Sequence, residues 1–212
     1  MDSARSIPAM IVIGLLLPLA GCRLIAAPFF LLAPEPTEDV TAVYPYLQDK
    51  KICTVIWVES DTLFEYPNVQ RELSEFVNSA LKQNVRGISF VPPRSVVEYQ
   101  RKNRDWRRTH PTKIGARFGA DRVLLIEITK YTTREPNSPH LYRGHIHANA
   151  KVYDPAYPNT RQVNERIEIE TAYPPDRDGE WGSNDRSIRK ATMEAFAVDT
   201  ARKFYDHKIK AR

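Results

Sequence analysis

The stretch from Leu141 to Tyr153 alternates along its length. Ile146, Ala148, Ala150 and Val152 fall on one side, and His145, His147, Asn149 and Lys151 on the other. A period of two sustained this long is a β-strand with one dry face and one wet face, and such strands belong to antiparallel pairs. Arg161 to Thr171 repeats the pattern, with Val163, Ile167 and Ile169 set inward and Asn164, Arg166, Glu168 and Glu170 outward. Two other runs differ. Ile52 to Glu59 is a short apolar run that reads as a buried strand, and Val123 to Ile128 is strongly apolar, continuing as a more polar strand towards Tyr131.

Helical signals fill the intervals. Pro67 can open a helix, and Val69, Leu73, Phe76, Val77, Ala80 and Leu81 recur at helical spacing down one face. Ile88 to Val91 reads as a further strand closed by Pro92-Pro93. Ser95-Val96-Val97-Glu98 then has the form of a capping box, opening a helix that carries Tyr99 and ends near Trp106. After Thr109-His110-Pro111, Ile114 and Phe118 make one face of a short helix that Gly119 stops. A loop from Tyr173 to Asn184, containing Trp181, precedes a closing helix from Arg186 to about His207. That helix has Ile188, Ala191, Ala195, Val198 and Tyr205 on one side. The order is β-α-β-α-(α)-β-β-β-α. The fold class is therefore α/β (α+β), a single mixed sheet with helices packed on it.

The amino-terminal region is of another kind. Arg5 precedes an apolar run from Ile7 to Ala20, too short for an ordinary membrane span, and small residues follow: a secretory signal. Leu19-Ala20-Gly21-Cys22 resembles the bacterial lipobox at all four positions. The resemblance implies that Cys22 receives a diacylglyceryl group, that residues 1–21 are removed, and that the new terminus is acylated, palmitate being the expected acyl group. Arg23, where an Asp would retain such a protein in the inner membrane, implies delivery to the outer membrane, facing the periplasm. The rival reading is an uncleaved anchor running on through Leu24 to Ala33. It would place Arg23 in the bilayer at a cost of about 2.5–3.5 kcal/mol and would be interrupted by Pro28. Residues 22–49 are then the lipidated terminus and a proline-bearing extended tether, and residues 50–212 the envelope α/β binding domain.

The formal charge of +5 is compatible with acidic partners or anionic headgroups and demands neither. There are only two cysteines. With Cys22 given to lipid, Cys53 has no intrachain partner and reads as a small buried hydrophobe, so the domain must stand on its core in an oxidising compartment.

The element order is similar to the α/β domain of several bacterial envelope proteins: the amino-terminal domain of TolB, the lipoprotein activators of penicillin-binding proteins, and the core of the curli-secretion lipoprotein CsgG. The resemblance rests on Val55-Ile56-Trp57-Val58, on Val91-Pro92-Pro93-Arg94-Ser95-Val96, and on the helix–glycine–strand join from Ile114 to Ile126 containing Gly119-Ala120-Asp121. The chain is also similar to a set of uncharacterised envelope lipoproteins with a Tyr-Gln-Arg to Asp-Trp stretch, here Tyr99-Gln100-Arg101 to Asp105-Trp106, and a Leu141-Tyr142-Arg143-Gly144 strand opening. The wider families imply a membrane-tethered binding domain without enzymatic activity of its own. The long insertions of the CsgG channel have no room here.

Candidate recognition residues cluster between Arg94 and Arg117, where Arg94, Arg101, Lys102, Arg104, Arg107, Arg108, Lys113 and Arg117 interleave with Tyr99 and Trp106. Arg101, Arg104, Trp106, Arg107 and Arg108 are the expected partner-binding set, facing an envelope protein or anionic polymer. The pattern also suits nucleic acid, which an exported protein rarely meets. His145 and His147 share a strand face but lack further ligands at motif spacing, so no metal is assigned. Glu165, Glu168 and Glu170 are placed to pair across strands with that histidine face. Catalytic residues and cofactors are not assigned either: there is no Gly-x-Ser-x-Gly or glycine-rich phosphate loop, and Asp176 and Asp178 lie in a loop. The alternatives are a structural subunit of a secretion or envelope assembly and an envelope hydrolase with a scattered site. Oligomeric state is left open.

Overall fold

The computed structural model describes residues 37–135, 138, 140–157, 166–175, 179–181 and 184–210. The lipobox Leu19–Cys22 with Arg23, and Arg161, Val163, Asn164, Glu165, Asp176 and Asp178, lie outside the described residues. The chain divides into two units. Among the described residues one holds Thr37–Asp39 with Lys208–Lys210, the other Val40–His207. Two short strands, β1 (Thr37–Val40) and, at the far end of the chain, β8 (His207–Lys210), form a two-stranded sheet.

In the larger unit the strands are β2 (Lys51–Trp57), β3 (Ser89–Phe90), β4 (Arg122–Arg134), β5 (Leu141–Tyr153), β6 (Ile167–Tyr173) and β7 (Glu180–Trp181). The helices are α1 (Ser60–Glu65), α2 (Val69–Asn84), α3 (Pro93–Lys102), α4 (Pro111–Arg117) and α5 (Asp185–Arg202), with a 3-10 turn at Arg104–Arg108. The sheet runs β3-β2-β4-β5-β6, with β7 also paired to β5. It is mixed: β3, β2 and β4 are parallel, whereas β5 is antiparallel to β4, β6 and β7.

Burial follows the two strand types. Ile52 to Ile56 is buried at every position, because helices cover both faces of β2. Along β5 the residues set inward by alternation, Ile146, Ala148, Ala150 and Val152, are all buried, while His145, His147 and Lys151 stay partly exposed. Asn149, expected on the wet face with them, is buried and accepts a hydrogen bond from Arg166. The main core lies between one sheet face and helices α2 and α5, with Leu73, Val77, Leu81, Phe196 and Ala201 packed on Ile52, Ile56, Leu124, Ile126 and Ile169. A smaller core lies on the other face, where α3, the 3-10 turn and α4 bring Val96, Trp106 and Ile114 onto Cys53, Val55 and Val123. The helices on that face stop at β2 and β4, and the outer face of β5 and β6 stays polar.

Several boundaries depart from the sequence reading. Residues up to 49 read as tether, yet from Val40 the chain belongs to the larger unit. Leu47 is fully buried, and the Tyr44 amide donates to the Lys203 carbonyl at 2.9 Å. Helix α3 opens at Pro93, two residues before the expected capping serine, and has no side-chain cap; proline's fixed φ suits it to a first turn. It ends at Lys102, with Trp106 in the separate 3-10 turn. Helix α5 ends at Arg202 and turns a different face inward: Ile188, Thr192, Met193, Phe196, Ala197, Thr200 and Ala201. Val198, expected inside, is 43% exposed. Thr192 can take the inner stripe because its hydroxyl is satisfied within the helix, donating to the Ile188 carbonyl at 2.7 Å. Gly144 of β5 lies against this point, and a Cβ there would collide with Thr192.

Candidate functional site

The arginine-rich segment sits on α3, the 3-10 turn and α4, at one end of the smaller core. The structure divides the expected set. Trp106 is buried among Cys53, Val96 and Ile114. Arg107 is tied to the fold, its guanidinium 5.2 Å from the Trp57 ring centre and its Nη2 donating to the Val58 carbonyl at 3.1 Å. Arg117 is similarly held over Tyr99 at 5.3 Å. Arg101, Arg104 and Arg108 are exposed. Among the described residues Arg101 makes only a long 3.4 Å contact with the Pro67 carbonyl, and Arg108 a 4.0 Å pair with the equally exposed Asp105. Such exposed charges contribute little to stability and are free to meet a partner.

Beside Arg101 is a groove of about 380 Å³, lined by Asn68, Arg71, Arg94, Val97, Glu98 and Arg101. Positions 94, 97, 98 and 101 form one stripe of α3, by helical periodicity. The opposite wall is the start of α2, where Asn68 precedes the first turn without making a side-chain cap hydrogen bond. Arg71 is paired with Glu75 at 3.0 Å and Glu98 with Lys102 at 2.7 Å. The Glu98 carboxyl is held below its ordinary value first by the Lys102 hydrogen bond and charge, with a smaller contribution from Arg94. Sequence reasoning picked out Arg94 and Arg101 but missed Asn68 and Arg71, whose only signal was their place at the start of the preceding amphipathic helix.

A second cleft of about 230 Å³ opens where the α4 side meets the sheet, lined in part by Trp57, Trp106, Arg107, Glu127 and Tyr153. Its aromatic floor is partly occupied from within by Arg107 on Trp57.

Of the expected cross-strand partners of the histidine face, Glu168 is the one that pairs with it among the described residues; His145 is met instead by Glu135, which follows β4. His147 Nε2 lies 2.9 Å from a Glu168 oxygen, and His145 Nε2 lies 3.2 Å from Glu135, which also meets Arg143 at 3.5 Å. Arg166 Nε donates to the buried Asn149 side chain at 2.5 Å. Among the described residues no group of three or more His, Cys, Asp or Glu is placed to hold a metal. Cys53 is fully buried, and burial pushes its thiol up to about 12, with Lys51 opposing weakly. A thiol so held is unreactive as a nucleophile. Among the described residues no helix is long and apolar enough to cross a membrane.

No family model matches the chain, and no curated protein matches it significantly. Several solved structures share its outline. The PelC dodecamer from Paraburkholderia phytofirmans is 10% identical, with 78% of this chain and 96% of that chain covered and a TM-score of 0.45. Lipoprotein GNA1162 from Neisseria meningitidis is 19% identical over 60% of this chain and 87% of that one, with a TM-score of 0.41. The protein CT253 from Chlamydia trachomatis is 14% identical over 72% and 91%, with a TM-score of 0.39. Likeness this remote assigns the chain neither a family nor a partner.

Proposed function

We propose that the chain is a lipid-anchored envelope protein, held to the outer membrane through Cys22, whose α/β domain binds another envelope protein or an anionic polymer and has no enzymatic activity of its own. The observation that carries the reading is the pairing of a complete lipobox at Leu19–Cys22 with an exposed arginine surface at Arg101, Arg104 and Arg108. The anchor concentrates the domain near a membrane, and the arginine surface supplies charge-assisted recognition. Trp106 supports that surface by filling the smaller core, and Arg107, itself exposed, braces Trp57.

The test has two arms. Labelled palmitate is expected to enter the wild type and not Cys22→Ala, and the variant is expected to leave the membrane fraction. Crosslinking in native envelopes is then expected to retain a partner with wild type that is lost when Arg104→Glu and Arg108→Glu are combined. Arg107 stays untouched, because reversing it would disturb Trp57 and Val58. Unchanged palmitate labelling of Cys22→Ala, or capture indifferent to the charge reversal, would sink the corresponding half of the proposal.

A further inference from the structure

The groove between α2 and α3 occupies a special place in the fold. Strands β2 and β3 are adjacent and parallel. The connection after β2 leads to α2, which packs on the main-core face, and the connection after β3 leads to α3, which packs on the opposite face. The two connections therefore diverge at the carboxyl ends of their strands, and that divergence opens a crevice. In open α/β sheets ligands bind at such a switch point. Here the crevice is lined by residues of the helices that follow those strands: Asn68 and Arg71 at the start of α2, reached after α1, and Arg94, Val97, Glu98 and Arg101 from α3.

The charge balance of the groove specifies what would enter. Of its three arginines, Arg71 is compensated by Glu75, and the one carboxylate, Glu98, is taken by Lys102. Arg94 and Arg101 make no salt bridge among the described residues, although Arg94 stands close enough to Glu98 to help hold its carboxyl low. Arg94 also stands in the first turn of α3, where no acidic residue is present and the helix dipole disfavours a cation. The wall opposite is the start of the sixteen-residue α2, whose first-turn Glu72 is paired with Arg189 at 3.3 Å. Two guanidinium groups free of salt bridges and a helix start line one concave site, a composition that suits an oxyanion.

We propose that this groove binds a phosphate group, with Arg94 and Arg101 as its charged ligands and Asn68 and Arg71 at the α2 wall completing the site. The proposal rests on the reading of the α3 flank as a recognition surface, and gives that flank a ligand chemistry. A dianionic phosphate and a phospholipid headgroup share this chemistry, and the two are separable by titration.

The full-length lipidated chain in detergent micelles, isotopically labelled at the arginine Nε positions, is titrated in turn with inorganic phosphate, pyrophosphate and short-chain phosphatidylglycerol. Chloride at matched ionic strength is the control. The expected result is a saturable shift of the Arg94 and Arg101 side-chain resonances that chloride does not produce. Arg94→Gln with Arg101→Gln is expected to weaken binding about tenfold or more. Lysine at both positions should weaken it less, and Lys190→Gln on α5 should leave it unchanged. Saturation by phosphate or pyrophosphate alone assigns the site to free or terminal phosphate, and saturation by phosphatidylglycerol alone assigns it to a headgroup. No saturable shift, or an equal loss in Lys190→Gln, overturns the proposal. Because partner capture is read at Arg104 and Arg108 and phosphate binding at Arg94 and Arg101, either can fail without the other.

Discussion

The two faces of the central sheet are built differently. On one, α2 and α5 lie across the sheet and the strands turn Ile, Val, Leu and Ala against them in one continuous core. On the other, α3, the 3-10 turn and α4 cover only β2 and β4, and the remainder is a wet surface of His147, Glu168, Glu170 and Lys151 beside a rim of exposed arginines. The first face holds the fold together. The second is where stability demands little of the side chains, so it is free to carry recognition.

Substitutions sharpen this contrast. Phe196→Ala, deep on the closed face, is expected to cost about 3–5 kcal/mol, read from denaturant unfolding. Gly144→Ala forces a methyl onto Thr192 where α5 meets β5, and is expected to cost about 1–3 kcal/mol through overpacking. On the second face, Cys53 beneath the short helices should make stability depend on alkaline pH. Its thiol ionises in the unfolded chain near the ordinary value of 9.0 but in the folded chain at about 12. The unfolded state therefore binds fewer protons within that window. Stability should fall as pH rises from about 9 towards 12, at up to about 1.4 kcal/mol per pH unit from this group. Tyr66, raised to about 12 chiefly by burial, adds the same sign above pH 10, so the share of the thiol is the difference between wild type and Cys53→Ala. The smallest effect belongs to the open strands: His147→Ala removes an exposed pair with Glu168 and should change stability by less than about 0.5 kcal/mol. A large loss there would show the second face to be structural after all.

What was legible in the sequence follows the same division. The alternation in β5 was readable because one face is wet and the other dry, so polarity reports orientation directly. Helix α5 was misread because Thr192 and Thr200 lie inside it while Val198 faces outward, which reverses the usual polarity cue. Helix α1 escaped notice because none of its residues is buried, leaving no apolar stripe to detect. The basic segment was visible as composition, but composition could not separate Arg107, spent on Trp57 and Val58, from Arg101, Arg104 and Arg108. Nor could it show the groove. Its walls come from two helices on opposite sides of the sheet, and only the divergence of the β2 and β3 connections brings Arg71 to Arg94 and Arg101.

The most direct measurement compares the two faces in place. A photo-crosslinking amino acid is put at Arg104 on the arginine rim, at Glu170 on the open strands, or at Val198 on the outside of α5, and the full chain is irradiated in native envelopes. A discrete crosslinked species is expected from position 104 that is lost when Arg108→Glu is present in the same chain, and none from 198. A discrete species from 198 with none from 104 would contradict it, placing recognition on the helices that close the main core.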